Sequence, residues 1–161
     1  MPQQKSSPAL PIALSISWMA LIFFLSSQPA SESSALSNGL LARLSALLPV
    51  SLRALPVMTG ARLAPSALIR KAAHMALYFV LFLLLRSSAV RLPRLARRAD
   101  LAALAGCILY ACSDELHQRF VPGRSGELRD VLIDTAGALT ALALLALYRC
   151  IRAHRRRASG R

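Results

Sequence analysis

The residues best suited to chemistry lie in the stretch from 110 to 137, YACSDELHQRFVPGRSGELRDVLIDTAG. It contains two adjacent carboxylates, Asp114 and Glu115, and an arginine, Arg124, that follows a Pro-Gly pair. Strongly apolar runs lie before it and overlap its end. Ionisable groups are expensive in segments that can enter a bilayer, and there they mark candidate functional sites. The partners of these charges are therefore expected on the helices that surround them.

The residue types fit acid–base chemistry on a bound anion. Asp114, Glu115 and His74 are the hypothetical catalytic residues, with a carboxylate as general base and the imidazole as a proton shuttle. An arginine can hold a phosphate through two parallel hydrogen bonds, and a lysine can hold it as a point charge. The candidate substrate-binding residues are Arg70, Lys71, Gln118, Arg124, Asp130 and Asp134.

The spacing of these residues does not identify a metal or a cofactor. The acids could hold a divalent ion, but their spacing matches no known metal motif, so no metal ligands are assigned. The sequence also lacks a Ser-His-Asp order, a phosphate-binding loop and an HExxH helix. An enzyme and a binding protein are therefore both open, and the cofactor stays unassigned.

Apolar segments long enough to span a bilayer must position these residues. Of 161 residues, 55% are hydrophobic and 17% are charged, whereas soluble domains carry about 25% charged residues. A spanning helix needs about 20 predominantly apolar residues. The composition and spacing predict an all-α, polytopic membrane protein, a single bundle of four transmembrane helices at about 11–28, 67–86, 101–118 and 130–148.

Two regions outside the predicted spans differ in composition. Residues 31–62, between the first and second spans, carry leucines at helical spacing among serines, arginines and prolines. This pattern favours an amphipathic helix in the membrane interface, with a helix that merely covers the bundle as the alternative. Residues 149–161 form a strongly basic tail, which is expected to be disordered and to contact anionic lipid.

The distribution of basic residues predicts which side of the membrane each loop occupies. More lysines and arginines flank the two termini and the 86–98 loop than the opposite side, and such residues favour the cytoplasm. Both termini are therefore predicted to be cytoplasmic, and the 110–137 stretch faces outward. The net charge of +13 is explained by these loops and tails, so membrane lipids, and not nucleic acid, are the expected partners.

Helical periodicity predicts that the polar residues converge. Side chains three, four or seven positions apart share one face of a helix. Polar side chains in spans face the bundle interior, and Gly137 would permit close helix approach. The result would be an outward-opening pocket, with the Pro122-Gly123-Arg124 turn over its mouth. The stripes that would line it are Lys71, His74 and Tyr78; Asp114 and Gln118; and Asp130 and Asp134.

Four motifs carry these residues in chain order: SSQ at 26–28, RKxxHxxxY at 70–78, DExxQxFxPGR at 114–124 and DxxxDxxG at 130–137. In this order they resemble the VanZ-like family of small bacterial membrane proteins. Asp134 is a mild departure, because that position is often Asn in the family. The resemblance implies a multi-pass protein of the bacterial cytoplasmic membrane, in a family whose founding member is associated with low-level teicoplanin resistance. It does not imply a reaction.

Two functions fit these residues. The first is a cell-envelope membrane protein whose outward-facing pocket binds or modifies an anionic lipid head group or a lipid-linked glycan or wall precursor, because the pocket would open at head-group depth. The second is a non-catalytic scaffold or interaction protein, in which the same charges pair with one another and pin the helices together. Direct carboxylate–guanidinium contacts would favour the scaffold.

Overall fold

Every regular element in the described part of the chain is helical. The computed structural model describes residues 7–47 and 65–159. The prediction of an all-α fold is confirmed for these residues. They form five α-helices and a short 3-10 turn: α1 (Ala9–Ser26), α2 (Ala30–Leu47), α3 (Pro65–Arg91), the turn (Ala96–Arg98), α4 (Ala99–Gln118) and α5 (Leu128–Ser159).

Within the described residues, three helices are long and apolar enough to cross a membrane. Their spanning segments are Ala9–Ser26 in α1, Leu68–Arg91 in α3 and Leu128–Arg157 in α5. The predicted third span forms α4, which is not one of the three and carries acidic residues near both ends. Three apolar helices are therefore observed, and the fourth span stays a prediction.

The central helix of the bundle is α3, which contacts α1, α2, α4 and α5. Its buried face presents Tyr78, Leu81 and Phe82 to the core. Small side chains let neighbouring helices approach closely, so α4 and α5 pack directly against this face. The small buried side chains on α4 and α5 are Ala103, Cys107, Ala111, Ala138 and Ala141.

Large apolar side chains cover the outside of the bundle. Phe24, Leu101 and Leu109 are each more than half exposed. Soluble monomers rarely expose large contiguous apolar patches, whereas such a surface suits contact with lipid. Residues 48–62 of the predicted amphipathic region lie outside the described residues. The remainder forms α2, whose Leu36 and Leu40 are exposed; its placement in the membrane interface stays a prediction.

The basic tail is helical. α5 continues through Arg149 and ends at Ser159, so the disorder predicted for the tail is wrong for residues 149–159. The reason is local, because alanine and arginine favour helix and no glycine or proline occurs between Gly137 and Gly160. The tail arginines therefore lie on an extension of the last apolar helix.

An ion-pair cluster joins three helices at the end of the bundle opposite to the 110–137 stretch. Asp100, at the start of α4, accepts hydrogen bonds from Arg86 of α3 (2.6 Å) and from Arg149 of α5 (2.6 and 3.1 Å). The hydrogen bonds from Arg149 and then Arg86 lower the pKa of Asp100 to about 2. Sequence spacing did not predict this cluster, because its members lie on three different helices.

Replacing Asp100 by asparagine is expected to lower stability at neutral pH. Since the pKa of Asp100 is lower in the folded protein, its stabilisation is fully present above the unfolded value of about 4 and is lost as the pH falls through about 2. The cluster is partly exposed, so the effect is about 1 kcal/mol, or about 3 °C in Tm. Thermal unfolding in detergent measures it, with Glu32→Gln as an exposed control. If Asp100→Asn stays less stable than the wild type by the same amount below about pH 2, the loss of stability does not come from the charge of Asp100.

Candidate functional site

The polar ends of four helices meet at one end of the bundle. The C-terminal ends of α1 and α4 lie beside the N-terminal parts of α3 and α5. A cavity of about 230 Å³ opens between them. Asp114 and Glu115 are not part of its wall and are buried within α4. The sequence-predicted residues that line it are Arg70, Lys71, His74, Gln118, Arg124, Asp130 and Asp134.

Asp114 connects α4 to α1. Its side chain is 3% exposed, and its Oδ2 atom accepts hydrogen bonds from Ser26 Oγ (2.8 Å) and Gln118 Nε2 (3.3 Å). Its Oδ1 atom is buried without a hydrogen-bond partner. Ser26 belongs to the SSQ motif at 26–28, and this hydrogen bond puts it in direct contact with the candidate catalytic acid. One oxygen of Asp114 is thus anchored and the other is free.

His74 and Asp134 face each other across α3 and α5. Asp134 is fully buried, and its Oδ1 atom lies 3.5 Å from His74 Nδ1. That separation is longer than a charge-assisted hydrogen bond, and in the described part of the chain neither these two atoms nor Asp134 Oδ2 has a hydrogen-bond partner. One potential ligand atom each from His74, Asp114 and Asp134 lies within 4.8 Å of the others. These three residues are called the acid–histidine cluster below.

Tyr78 belongs to the stripe predicted to line the pocket, but it does not line the cavity. It follows His74 by one helical turn, is fully buried, and its hydroxyl has no hydrogen-bond partner. Its hydroxyl also lies within electrostatic range of Asp134 and Asp114. The His-x-x-x-Tyr spacing was the available signal, but spacing alone does not separate a buried polar tyrosine from an ordinary membrane aromatic.

Glu115 lies apart from the cluster. It is buried, and its Oε2 atom accepts the backbone N–H of Glu127 at 3.0 Å. The loop that follows α4 packs closely here, because a Cβ atom at Gly126 would overlap the backbone oxygen of Glu115. The contacts of Glu115 therefore position this loop, and its catalytic role stays a prediction.

Arg124 ties the loop to the cavity. The predicted Pro-Gly turn forms, with Gly123 at φ 75° and a hydrogen bond from Arg124 N to Val121 O. The Arg124 guanidinium donates to Gln28 O (3.0 Å) and Gln118 Oε1 (3.2 Å). Burial lowers the pKa of Arg124, yet an arginine stays charged at neutral pH. The turn thus places a fixed positive charge in the cavity wall.

A family comparison extends over this whole region. The sequence model of the VanZ/LLP1 family matches residues 11–149, which include all the residues of the cavity wall. The chain belongs to the VanZ/LLP1 family. No protein of curated function and no solved structure matches it. The family match and the three apolar helices together make this VanZ/LLP1 chain a membrane protein.

A second, mostly apolar cavity of about 180 Å³ adjoins the polar one in this VanZ/LLP1 protein. The two share Arg70, His74 and Arg124. The apolar cavity runs between α2 and α3, so a molecule with a charged end and an apolar chain could contact both. The apolar side chains that line it are Leu25, Leu36, Leu40, Ile69, Ala73 and Leu77.

Proposed function

We propose that this VanZ/LLP1 protein binds the phosphate-bearing head group of an envelope lipid in its polar cavity. The lipid is a membrane phospholipid or a lipid-linked glycan or wall precursor. The carrying observation is the set of cations in the wall: Arg70, Lys71 and Arg124 border the cavity. Within the described residues, none of them forms an ion pair with a carboxylate. Glu127, Asp130 and Asp134 line the same wall, but none of them lies at ion-pair distance from these cations, so the cations can still bind an anion from outside the chain.

Arginine geometry supports a phosphate over a simple counter-ion. The planar guanidinium matches phosphate oxygens through two parallel hydrogen bonds. Arg124 is already oriented by Gln28 and Gln118, so little side-chain entropy is lost when the anion binds. Lys71 and Arg70 add two further charges on the adjacent helix.

The adjoining apolar cavity supports a lipid over a soluble phosphate. Apolar surface that is buried by a ligand contributes about 25 cal/mol per Å². An acyl or prenyl chain in the cavity beside Leu36, Leu40 and Ile69 would therefore add affinity that inorganic phosphate cannot gain. The ligand class is an amphiphile with an anionic head.

The placement in the membrane is also part of the proposal. The cavity would open to the outer face of the bacterial cytoplasmic membrane, with four spans including α4 and with both termini in the cytoplasm. The arginine-rich turn and the α5 extension lie at the opposite end, which agrees with positive-inside orientation. A wall precursor in the cavity would suit a teicoplanin-resistance-like role, which the family name suggests.

Modification of the head group is the enzymatic form of this proposal. A carboxylate of the acid–histidine cluster would act as the base and His74 would carry the proton. His74 and Asp134 both line the cavity, so a bound head group would lie against them. A protein that only binds the head group would use the same cavity wall, and it would differ from the enzyme in that the lipid is not converted to a product.

A non-catalytic scaffold is the second candidate, and cross-helix hydrogen bonds favour it. Ser26 donates to Asp114 between α1 and α4, and Arg124 donates to Gln28. These contacts hold the polar ends of the helices together. They leave one oxygen of Asp114 and the Asp134 carboxylate without hydrogen bonds, which a purely structural role does not require.

Replacing Arg124 by glutamine is expected to weaken head-group binding by about 10- to 100-fold, because a hydrogen bond to a charged group contributes about 1.5–3 kcal/mol. The ligands are phosphatidylglycerol and a polyprenyl phosphate, and the affinity is measured by native mass spectrometry in neutral detergent. Arg129→Gln removes the same charge from an exposed position at the same end and should change affinity by less than about twofold.

Three comparisons test whether the ligand is a lipid, whether it binds in the cavity, and whether a scaffold is the better account. Inorganic phosphate should bind much more weakly than either lipid, and equal affinity would reject a lipid ligand. Equal losses in Arg124→Gln and Arg129→Gln would reject the cavity as the binding site. A folded wild-type protein that binds neither lipid would leave the scaffold as the better account.

A further inference from the structure

Three side chains from three different helices place free ligand atoms around one point. His74 Nδ1 and Asp134 Oδ1 are 3.5 Å apart, and one atom of each residue in the acid–histidine cluster lies within 4.8 Å of the others. Transition-metal bonds to nitrogen or oxygen of about 2.0–2.2 Å place neighbouring ligands about 3–3.5 Å apart. A small contraction of the cluster would therefore suffice to coordinate one ion.

Among residues 7–47 and 65–159, these atoms have no other partner. Asp134 is fully buried and neither of its carboxylate oxygens accepts a hydrogen bond; Asp114 Oδ1 and His74 Nδ1 are also unpartnered. Buried carboxylates normally accept several hydrogen bonds, and an unsatisfied buried charge is strongly destabilising. The free atoms belong to side chains that face one another, so a single cation between them would satisfy all three.

We infer that His74, Asp114 and Asp134 bind a divalent first-row transition-metal ion. Two carboxylates and a neutral imidazole balance the charge of one divalent ion. The imidazole nitrogen favours an ion such as Zn²⁺, and the two carboxylates also suit Mn²⁺. Ca²⁺ requires six to eight oxygen ligands and Mg²⁺ retains most of its water, so both fit this small mixed site less well.

The metal site goes beyond head-group binding and does not depend on it. His74 and Asp134 also line the polar cavity, so the ion would border the space that a phosphate occupies. A metal there would act as a Lewis acid toward phosphoryl oxygen, and Arg124 would remain available for the other oxygens. The ion alone is therefore a sufficient probe of the site.

The test is Mn²⁺ binding to the full-length, detergent-solubilised protein after chelator treatment, measured by electron paramagnetic resonance and without lipid. One Mn²⁺ ion is expected to bind per chain and to raise the Tm. His74→Ala and Asp114→Asn should each weaken binding about 100-fold or more, since even outer-shell changes cost about 10- to 100-fold. Asp114→Asn keeps the shape of the side chain, so a loss of binding in this variant cannot be attributed to misfolding, as it could be in His74→Ala.

Two controls separate this proposal from head-group binding. Glu127→Gln removes an acid from the same cavity wall but outside the cluster, and should leave Mn²⁺ affinity unchanged. Arg124→Gln, which weakens lipid binding, should not weaken Mn²⁺ binding. If the folded wild-type chain binds neither Mn²⁺ nor Zn²⁺, the metal site is overturned and a His74–Asp134 ion pair is the better interpretation. Binding that survives both His74→Ala and Asp114→Asn would also overturn the metal site.

Discussion

Replacing Asp114 by asparagine is expected to abolish the function of the protein while leaving it folded. The amide oxygen can still accept the hydrogen bonds that Ser26 and Gln118 donate to Oδ2. The negative charge at Oδ1, which has no hydrogen-bond partner, is lost. This carboxylate is a ligand of the proposed metal ion, and without the ion it is a candidate general base, which contributes about 100- to 10,000-fold in rate. An amide replaces neither role, so a strain that depends on this protein should behave as if it carried none.

The matched control for Asp114→Asn is Ser26→Ala, which removes the 2.8 Å hydrogen bond but keeps the carboxylate. It should cost about 2 kcal/mol of stability, because the lost hydrogen bond is to a charged group, and it should retain function. Both variants are compared by teicoplanin susceptibility in a strain without its own family member, with the amount of protein in the membrane measured in parallel. If Asp114→Asn functions like wild type, the carboxylate has no catalytic role and the enzymatic form of the proposal is rejected.

The convergence of the polar residues was predicted from two facts, the helical spacing and the alternating direction of the spans. Spacing fixed the face on which His74 and Asp134 lie, and the alternation of spans fixed the end of the bundle. The structure brings these residues into one wall with Arg124 and Gln118. Chain order indicated the end of the bundle at which these residues lie, but it gave no distances, and it assigned to the pocket wall Asp114 and Tyr78, which do not line the cavity.

The ligand-like cluster could not be predicted from spacing. Metal motifs are recognised when ligands lie close in sequence, whereas His74, Asp114 and Asp134 lie on three helices. The adjacent acids Asp114 and Glu115 were grouped as catalytic residues, but neighbours on a helix point about 100° apart. As a result, Asp114 faces the cluster and Glu115 faces the loop at Glu127.

The ion pairs at the opposite end of the bundle could not be predicted from spacing either. Asp100 was assigned no role, because a single acid beside an arginine-rich loop looks like a solvated charge. Its two arginine partners come from α3 and α5, and only the packing of those helices reveals them. The helical extension of α5 that carries Arg149 was likewise hidden, since a basic run resembles a disordered tail.

Replacing Gly137 by alanine is expected to separate α5 from α3. A Cβ atom at this position would overlap the backbone of Met75, and backbone cannot move aside as a flexible side chain can. Overpacking of this kind costs about 3 kcal/mol, which outweighs the gain of about 1 kcal/mol in helix propensity. The net loss of about 2 kcal/mol should lower the Tm by about 6 °C, measured by thermal unfolding in detergent.

Gly39→Ala supplies the matched comparison, because Gly39 is also helical and nothing lies near the added Cβ atom. It should leave the Tm unchanged or raise it slightly. Equal effects of the two substitutions would contradict the close contact of α3 with α5. Because Met75 follows His74, and Gly137 lies one turn beyond Asp134, forcing the helices apart should also move Asp134 away from His74. Gly137→Ala is thus expected to lower Mn²⁺ affinity although it alters none of the proposed ligands.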